Sequence, residues 1–328
     1  MSFSAYFHCY CRSEHLYSTQ GEIIEIFIVE KLERGKRLDK FLSERLPALS
    51  RSVLAKFAEE GLVKVDGRAE GKNFRLKEGH KVELELPTLE SDDSILPEAI
   101  DFEILYEDSD IAIVNKSAGL CVHPAPGHRS GTLVNAMLSK YPQMAFVGSV
   151  KRPGVVHRLD LDTSGAIIFA LTPFAYSNLV GLIKAREIKR EYKAVVHGIL
   201  PQKHATINMP IGRDPAMRRR FTIFPSVSSI SKRAITHYDV IEEYDHASLL
   251  SVKLETGRTH QIRVHLNSIG HPVYGDKLYG SKKDTIIERH ALHAEKLELV
   301  HPRSGKQITV EAPMPEDMNE LITILRNR

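Results

Sequence analysis

The chain has 328 residues, of which 42% are hydrophobic and 27% are charged, a balance that is ordinary for a globular protein with room for two domains. No run approaches the roughly eighteen apolar residues that cross a bilayer, and the first twenty residues lack the basic start and apolar block of a secretory signal. Three cysteines, at positions 9, 11 and 121, give no disulfide framework, so we expect a cytoplasmic protein without a membrane partner.

The net charge of +3 is unevenly distributed along the chain. Residues 88–110 contain nine acidic residues and no Lys or Arg, so the rest of the chain carries +12. A basic body with one separate acidic stretch suits a polyanionic partner such as structured RNA. Two solvated surfaces of opposite sign would give the same counts, so charge alone leaves this question open.

The first predicted elements form a compact module over residues 29–87, after an N-terminal extension, 1–28, that we expect to be poorly ordered. Apolar residues at helical spacing predict two helices, the second capped by Ser50 and ended by Gly61. An Asp-Gly pair between two alternating segments predicts a hairpin turn. The predicted helices cover 37–46 and 50–61, and the predicted strands cover 62–65 and 81–86.

Five basic residues spread over this module suit a phosphate-binding surface: Arg37, Lys40, Arg51, Lys56 and Lys64. The stretch "RLDKFLSERLPALSRSVLAKFAEEGLVKVDGR" resembles the S4 RNA-binding domain in its order of two helices followed by "GLVKVDG". In that family the basic residues of the second helix and the following strand face RNA, which here implies Arg51, Lys56 and Lys64. A generic helix-turn-helix with a solvated basic face is the alternative. Either interpretation implies binding and not chemistry.

An acidic linker over residues 88–97 is predicted to join this module to a larger domain, 98–328. Strand-like segments then recur without a regular alternation with helices, and helices are predicted at 132–138 and 174–183. This order favours an α+β fold with a mixed sheet over a doubly wound fold. The predicted strands cover 102–105, 111–114, 166–171, 193–196, 249–254, 297–299 and 307–310.

Two polar clusters in the second domain could do chemistry. In "PGVVHRLDLDTSGAIIFAL", residues 153–171, a short strand is predicted to deliver Arg158 and Asp160 into a turn over 162–165, with both side chains on one side. In "LETGRTHQIRVHLNSIGHPVYGD", residues 254–276, Thr259 is predicted to cap a helix over 260–269. Arg258 and Arg263 flank the start of that helix and suit a carboxylate or phosphate partner. The alternatives are a plain hairpin turn capped by an aspartate in the first cluster and solvated surface arginines in the second.

Three motifs in a fixed order then carry a more specific resemblance: "HRLDLDTSG", "REIKREYKAVVHG" and "LETGRTHQIRVHL". Following an S4-like module, they resemble the ribosomal large-subunit pseudouridine synthases of the RluA/RluD type. The preceding segment "VNKSAGLCVHPAPGHRSGTLVNAML" is typical of the RluD-like branch. The resemblance covers residues 30–315. Two positions depart from the family pattern, Ser117 for Pro and Leu161 for Lys, and neither falls on the proposed chemistry.

The resemblance implies a fold, an activity and site residues. It implies an S4-type domain followed by a catalytic domain with a mixed, largely antiparallel sheet flanked by helices, and an isomerase that uses no metal or organic cofactor. The family's catalytic aspartate falls on Asp160, its active-site tyrosine on Tyr192, and the basic residue that pairs with the aspartate on Arg263. Arg158 matches the motif arginine that inserts into RNA where the target base leaves.

These residue types suit pseudouridylation, in which the N1–C1′ bond breaks and the detached uracil turns and rejoins through C5. A carboxylate must attack the sugar or base or start an elimination, and the sequence leaves these routes open. Burial would raise the pKa of Asp160, and Arg263 would oppose that rise. Tyr192 offers a stacking surface and a hydroxyl that can move a proton. The target base must also leave its stack.

A basic segment, residues 213–233, carries six Lys or Arg residues against one acid. We interpret it as a mobile arm that grips RNA through Arg218, Arg219 and Arg220, with Arg258 as a further RNA contact. A solvated loop is the alternative.

Two other functions compete with this interpretation. A metal-dependent nuclease is suggested by sixteen histidines, but the sequence lacks His-Glu-x-x-His, paired Cys-x-x-Cys and a dense carboxylate cluster. A non-catalytic RNA-binding or ribosome assembly factor would need the basic surfaces but not Asp160, Tyr192 and Arg263 together. We expect a monomer whose target is large-subunit ribosomal RNA, with transfer RNA as the alternative.

Overall fold

The structure is a computed structural model that describes residues 14–17, 23–46, 49, 51–86, 95–125, 128–149, 151–217, 219–280 and 286–327. In those ranges, no helix is both long enough and apolar enough to cross a bilayer. Two domains follow one another along the chain, each with its own hydrophobic core.

The N-terminal domain consists of a five-stranded sheet and two helices. Its elements are β1 (Glu14–Tyr17), β2 (Ile23–Ile28), a 3₁₀ turn (Lys31–Glu33), α1 (Leu38–Arg45), α2 (Arg51–Glu59), β3 (Val63–Val65), β4 (Arg68–Ala69) and β5 (Lys81–Leu86). The strand order is β1-β2-β5-β3-β4, and every pair is antiparallel. Leu38, Phe41 and Leu42 are fully buried, as their helical spacing predicts. Asp66 and Gly67 both have positive φ, 49° and 79°, which suits the predicted two-residue turn between β3 and β4.

Both predicted boundaries of this module need correction. The expectation of a poorly ordered extension is wrong for Ile23–Ile28, because this strand pairs along its whole length with β5 and buries Phe27. The alternating pattern "IIEIFI" has the period of a strand, so the signal was present in the sequence. At the other end, most of the predicted linker lies outside the described residues. Its last part belongs to the second domain, since Ile95 is buried in that core and the Leu96 carbonyl accepts a hydrogen bond from Asn135.

The second domain is built on a nine-stranded sheet. Its elements are β6 (Glu103–Glu107), β7 (Ile111–Lys116), α3 (Leu133–Lys140), a 3₁₀ helix (Pro142–Phe146), β8 (Gly148–Ser149), β9 (Arg152–Pro153), β10 (Ser164–Ala170), α4 (Pro173–Ala185), β11 (Lys189–His197), β12 (His204–Asn208), β13 (Ile211–Arg213), β14 (Phe221–Ile223), β15 (Ser231–Lys232), β16 (Ile235–Glu243), β17 (Ala247–Leu254), α5 (Gln261–Ser268), β18 (Leu292–Val300), β19 (Gln307–Glu311) and α6 (Glu316–Arg326).

The sheet order is β12-β16-β17-β11-β18-β10-β7-β6, and β19 pairs with β18. Within the described ranges β10 and β18 form the one parallel pair, and the other pairs of this sheet are antiparallel. The predicted α+β fold with a mixed, largely antiparallel sheet is therefore confirmed.

The parallel pair brings two chain segments unusually close at the centre of the sheet. Gly165, opposite Ala294, has φ +112°, and a Cβ at this position would lie 2.2 Å from the Ala294 carbonyl oxygen. Only glycine is compatible with that approach. The loop that carries Asp160 immediately precedes β10, so this contact lies at the point where the loop joins the sheet.

Candidate active site

The loop that carries Asp160 is fastened by polar contacts from other parts of the domain. The buried Lys116 ammonium donates to the carbonyl of Leu161 at 2.8 Å and also to the carbonyls of Ser117 and Leu120. Arg289 donates to the Asp162 carbonyl, the next along the loop, at 3.1 Å. Burial lowers the pKa of Lys116 to about 8, against the attraction of nearby carboxylates. The loop is thus held by cations on main-chain oxygens, which fixes its path.

Two histidines of β18 and the segment before it complete this attachment. Thr163 Oγ1 lies 2.8 Å from His290 Nε2, and Ser164 Oγ lies 2.9 Å from His293 Nδ1. Burial lowers the pKa of His290 to about 3, so its imidazole is neutral at physiological pH. Ser164, predicted as part of the turn, lies in β10, and the predicted Val-Val strand before the loop forms only an isolated bridge at Val155.

Arg263 joins two carboxylates from separate parts of the chain. Its Nη1 donates to Asp160 Oδ2 at 3.1 Å, and its Nε and Nη2 donate to the two oxygens of Asp276 at 2.7 and 2.9 Å. Asp276 is fully buried and also accepts from the backbone N–H groups of Leu278 and Tyr279. Burial disfavours the charge on Arg263, but the two carboxylates together keep its pKa above the ordinary value. Asp276 therefore orients the guanidinium that faces Asp160.

Asp160 is placed to act as an anion. Burial raises its pKa, but the electrostatic effects of His260 and Arg263 outweigh burial and leave the pKa below the usual range for aspartate. Its Oδ2 accepts from Arg263, whereas Oδ1 accepts no hydrogen bond from any residue in the described ranges. One carboxylate oxygen is thus held by the arginine, and the other remains open to a ligand.

Tyr192 comes from the centre of β11, at an irregularity of the sheet. The pairing of β11 with β18 shifts between Glu191 and Lys193, and such bulges redirect a side chain. The ring is buried, and burial raises the pKa of the phenol, so the hydroxyl keeps its proton at neutral pH. Tyr192 therefore offers both a flat apolar surface and a proton donor.

The three residues predicted to act together line one cavity of about 430 Å³. This volume lies within the range of small-molecule sites. The charged part of its lining is mainly cationic: Arg158, Lys184, Arg186, Arg190, Arg258 and Arg263 against Asp160 and Glu255. A smaller cavity of about 170 Å³ adjoins it and shares Arg158, Asp160, His260 and Arg263. Arg158 and Asp160 thus line both cavities, but so does Leu159 between them, and the segment is not a strand, so the predicted strand parity stays untested.

Tyr279 connects the site to the basic segment. The guanidinium carbons of Arg263 and Arg220 lie 5.2 and 5.1 Å from the centre of its ring, distances typical of cation–π contacts. The Tyr279 hydroxyl accepts from the Phe221 N–H at 2.8 Å and lies 2.9 Å from His260 Nδ1. The ring thus contacts two arginines, one that lines the cavity and one from the basic segment.

The start of α5 differs from the prediction. The helix begins at Gln261, and the preceding His260 has a left-handed backbone with φ +56°, so Thr259 does not cap it. The side-chain oxygen of Gln261 instead accepts from the backbone N–H of Arg258 and from the Thr256 hydroxyl. These bonds close the turn without a threonine cap.

The basic segment predicted as an arm contains parts of a small three-stranded sheet joined by loops. Its strands lie in the order β14-β13-β15 and pack against Val264 and Tyr279 through a separate apolar cluster. Arg219 is exposed and Arg220 is half-buried, while Arg218 lies outside the described residues. Arg258 lines the cavity and donates to the Arg233 carbonyl at 3.1 Å.

The four predicted RNA-binding residues of the first domain each have an acidic partner there. Arg37 and Arg51 both pair with the buried Asp39, at 3.0 and 2.9 Å. Lys56 lies 3.4 Å from Glu60, and Lys64 lies 3.9 Å from Glu85. The lysine pairs join exposed side chains at long distances, so they exchange readily for phosphate partners. Arg37 and Arg51 are also at least 36% exposed, but they neutralise a buried carboxylate.

Sequence reasoning missed four residues that shape the site: Lys116, Asp276, Tyr279 and Arg190. The first, second and fourth of these lie in segments that the sequence analysis quoted, and Tyr279 follows the segment 254–276 by three residues. Among the described residues no group of three or more His, Cys, Asp or Glu side chains could hold a metal ion.

Comparisons with known proteins bear on both domains. A model of the RNA pseudouridylate synthase family matches residues 110–268, and one of the S4 domain matches residues 36–82. An uncharacterized RNA pseudouridine synthase of Synechocystis is 44% identical over 90% of each chain. The ribosomal large subunit pseudouridine synthase D of Nitrosomonas europaea is 42% identical, over 93% of this chain and 88% of its own. The solved structure of human RNA pseudouridylate synthase domain containing 1 superposes with a TM-score of 0.54 at 27% identity, over 70% of this chain and 97% of its own.

Proposed function

Since the chain belongs to the RNA pseudouridylate synthase family, and is thus an RNA pseudouridine synthase with an N-terminal S4 domain, we propose that it acts on large-subunit ribosomal RNA through Asp160, Tyr192 and Arg263. The observation that carries the proposal is the juxtaposition of these residues in one cavity, where an ionised carboxylate is paired to an arginine beside a buried phenol. The reaction breaks the N1–C1′ bond of uridine and forms a C5–C1′ bond, and the proton lost from C5 is balanced by one gained at N1.

Asp160 is the reacting carboxylate. Its ionised state is maintained by Arg263, and its open Oδ1 can approach the nucleoside from within the cavity. Attack on the sugar or the base and the start of an elimination all require a negatively charged oxygen at this position. Asp276 keeps Arg263 oriented while the charge on Asp160 changes during the reaction.

Tyr192 has a different task, which is to hold the uracil base while it is detached from the ribose. A detached uracil must turn without leaving, and a buried aromatic face binds every orientation of the base plane that remains parallel to it. Its phenol keeps its proton at neutral pH, so it can donate to the base or relay the proton from C5.

The target nucleotide has to be extruded from its stack, at a cost of a few kcal/mol. Arg158 lines both cavities and supplies the cation that would occupy the vacated position. The exposed cations of the S4 domain and of the β13–β15 sheet supply further phosphate contacts. The name of the Nitrosomonas europaea relative supports ribosomal RNA as the target over transfer RNA. We also propose that the protein works as a monomer in the cytoplasm.

Asp160→Asn tests the assignment. The purified variant should form no pseudouridine in transcribed large-subunit RNA, while its affinity for that RNA stays within about threefold of the wild type, because the amide preserves shape. Wild-type product in the presence of EDTA would exclude a metal-dependent reaction. Undiminished product from the variant would refute the role of Asp160, and binding without any wild-type product on ribosomal or transfer RNA would favour an assembly factor.

A further inference from the structure

Arg190 is the unpaired member of three buried arginines in the described part of the chain. Arg190 and Arg263 are 7% exposed and Arg289 is 9% exposed. Arg263 is held by two carboxylates and Arg289 by one carboxylate and three carbonyls. Arg190 makes no hydrogen bond or ion pair with any described residue, and its Nε is buried without a partner. Because a buried guanidinium without a partner is costly, we expect its partner to come from outside the chain.

The position of Arg190 points to a ligand of the candidate active site. Arg190 and Tyr192 are two residues apart in β11, so their side chains lie on the same face of the sheet. Both line the cavity of about 430 Å³. The guanidinium lies directly against Gly257, where a Cβ would be 2.8 Å from Nη1. Glycine at 257 thus leaves the space that the guanidinium occupies.

We propose that Arg190 binds a backbone phosphate of the target nucleotide, on its 5′ or 3′ side. This inference rests on the proposed function, since phosphodiesters are the anionic groups of RNA. A planar guanidinium offers paired N–H donors that match two phosphate oxygens, and the partly closed cavity strengthens such a bond. Asp160 and Tyr192 would then contact the nucleoside, and Arg190 the backbone next to it.

This contact has a mechanical use in the reaction. The base must turn while the ribose stays in place, and a phosphate held on β11 fixes the ribose relative to Tyr192. The contact requires no new covalent step. It makes Arg190 a binding residue that anchors the half of the nucleotide that does not move.

A calorimetric titration with mononucleotides tests the contact independently of catalysis. The probes are uridine and uridine 3′,5′-bisphosphate, followed by the two monophosphates to decide the side. The wild type should prefer the bisphosphate over uridine by roughly tenfold to a hundredfold, as expected for hydrogen bonds to a charged group. Arg190→Gln should abolish most of that preference and leave uridine binding unchanged.

Three further variants make the outcome decisive. Arg190→Lys keeps the charge and should retain part of the preference, whereas Gly257→Ala keeps Arg190 but displaces its guanidinium and should reduce the preference. Arg326→Gln removes an exposed arginine that pairs with Glu242 outside the cavity and should change nothing. Absence of a bisphosphate preference in the wild type, or a preference that survives in folded Arg190→Gln, overturns the proposal. Failure of the proposed function would appear separately, as absence of pseudouridine from RNA treated with the wild type.

Discussion

Replacing Asp276 by Asn measures how far the site depends on the acid behind Arg263. Asp276 is fully buried and accepts both a 2.7 Å and a 2.9 Å bond from that guanidinium, one on each oxygen. Asparagine offers one oxygen in place of two, so at least one of these bonds is lost. Arg263 then remains buried with Asp160 as its single carboxylate partner.

The expected cost follows from this geometry. Breaking a buried ion pair by removing one partner typically costs about 3–5 kcal/mol. Since Arg263 keeps Asp160 and the amide oxygen keeps one bond, we expect Asp276→Asn to lower the free energy of unfolding by about 3 kcal/mol. The reoriented guanidinium would also shift Asp160, and a displacement of about 1 Å in a site costs on the order of a hundredfold in kcat/KM.

Urea denaturation followed by circular dichroism measures the first effect, and pseudouridine formation in ribosomal RNA measures the second. Asp160→Asn is the matched control, because it removes the other carboxylate, which is 16% exposed and makes one bond to Arg263. Asp160→Asn should lose all activity but lose less stability than Asp276→Asn. The variant with the lower activity is therefore expected to be the more stable of the two. An Asp276→Asn protein within about 0.5 kcal/mol of the wild type would refute the reasoning.

Three other perturbations have equally definite outcomes. Gly165→Ala places a Cβ 2.2 Å from a carbonyl oxygen of β18 and should lower the free energy of unfolding by more than about 2 kcal/mol. Gly181→Ala, in open space on α4, should raise it by about 0.5–1 kcal/mol. The melting temperatures of the two variants measure this difference. The pKa of Lys116 is lowered from 10.5 in the unfolded chain to about 8 in the folded protein, so between pH 8 and 10.5 only the unfolded chain keeps the proton. The free energy of unfolding should therefore rise with pH in this range. Urea denaturation at several pH values should show this rise in the wild type but not in Lys116→Met. Lys56→Gln combined with Lys64→Gln should weaken RNA binding and make the plot of log affinity against log salt shallower by about one per lysine, and an unchanged slope would exclude both as phosphate contacts.

The elements of this fold were largely predictable because their periodicities are local. The predicted strand at 81–86 matches β5, and the helix predicted over 37–46 differs from α1 by one residue at each end. Ile23–Ile28 was misjudged although its alternation is clear, because its partner β5 lies more than fifty residues away and pairing at that distance leaves no local mark. The α5 turn was misjudged because a glutamine side chain replaced the expected threonine cap.

The site was predictable only where a motif marks it. Asp160 and Arg263 lie 103 residues apart, and only the resemblance of two motifs predicted that they pair. Asp276 and Lys116 lie within quoted segments, but nothing in the sequence distinguishes an aspartate after a Tyr-Gly turn, or a lysine at a strand end, from an ordinary surface residue. Their roles depend on burial, which follows from the tertiary arrangement of the sheet. Arg190 is the clearest case, because the lack of a partner is visible only once all its neighbours are known.

The fastening of the loop that carries Asp160 also bears on how the protein selects a uridine. Lys116, Arg289 and His290 hold three consecutive residues of that loop, so adapting its shape to a poor substrate would break several buried bonds at once. The RNA, and not this loop, must therefore change its conformation when the two bind. Among uridines of equal chemistry, those in bulges, loops or mismatches, which are already partly unstacked, should react faster than those in continuous helices. Selectivity would then be read from the local plasticity of the RNA as much as from its sequence.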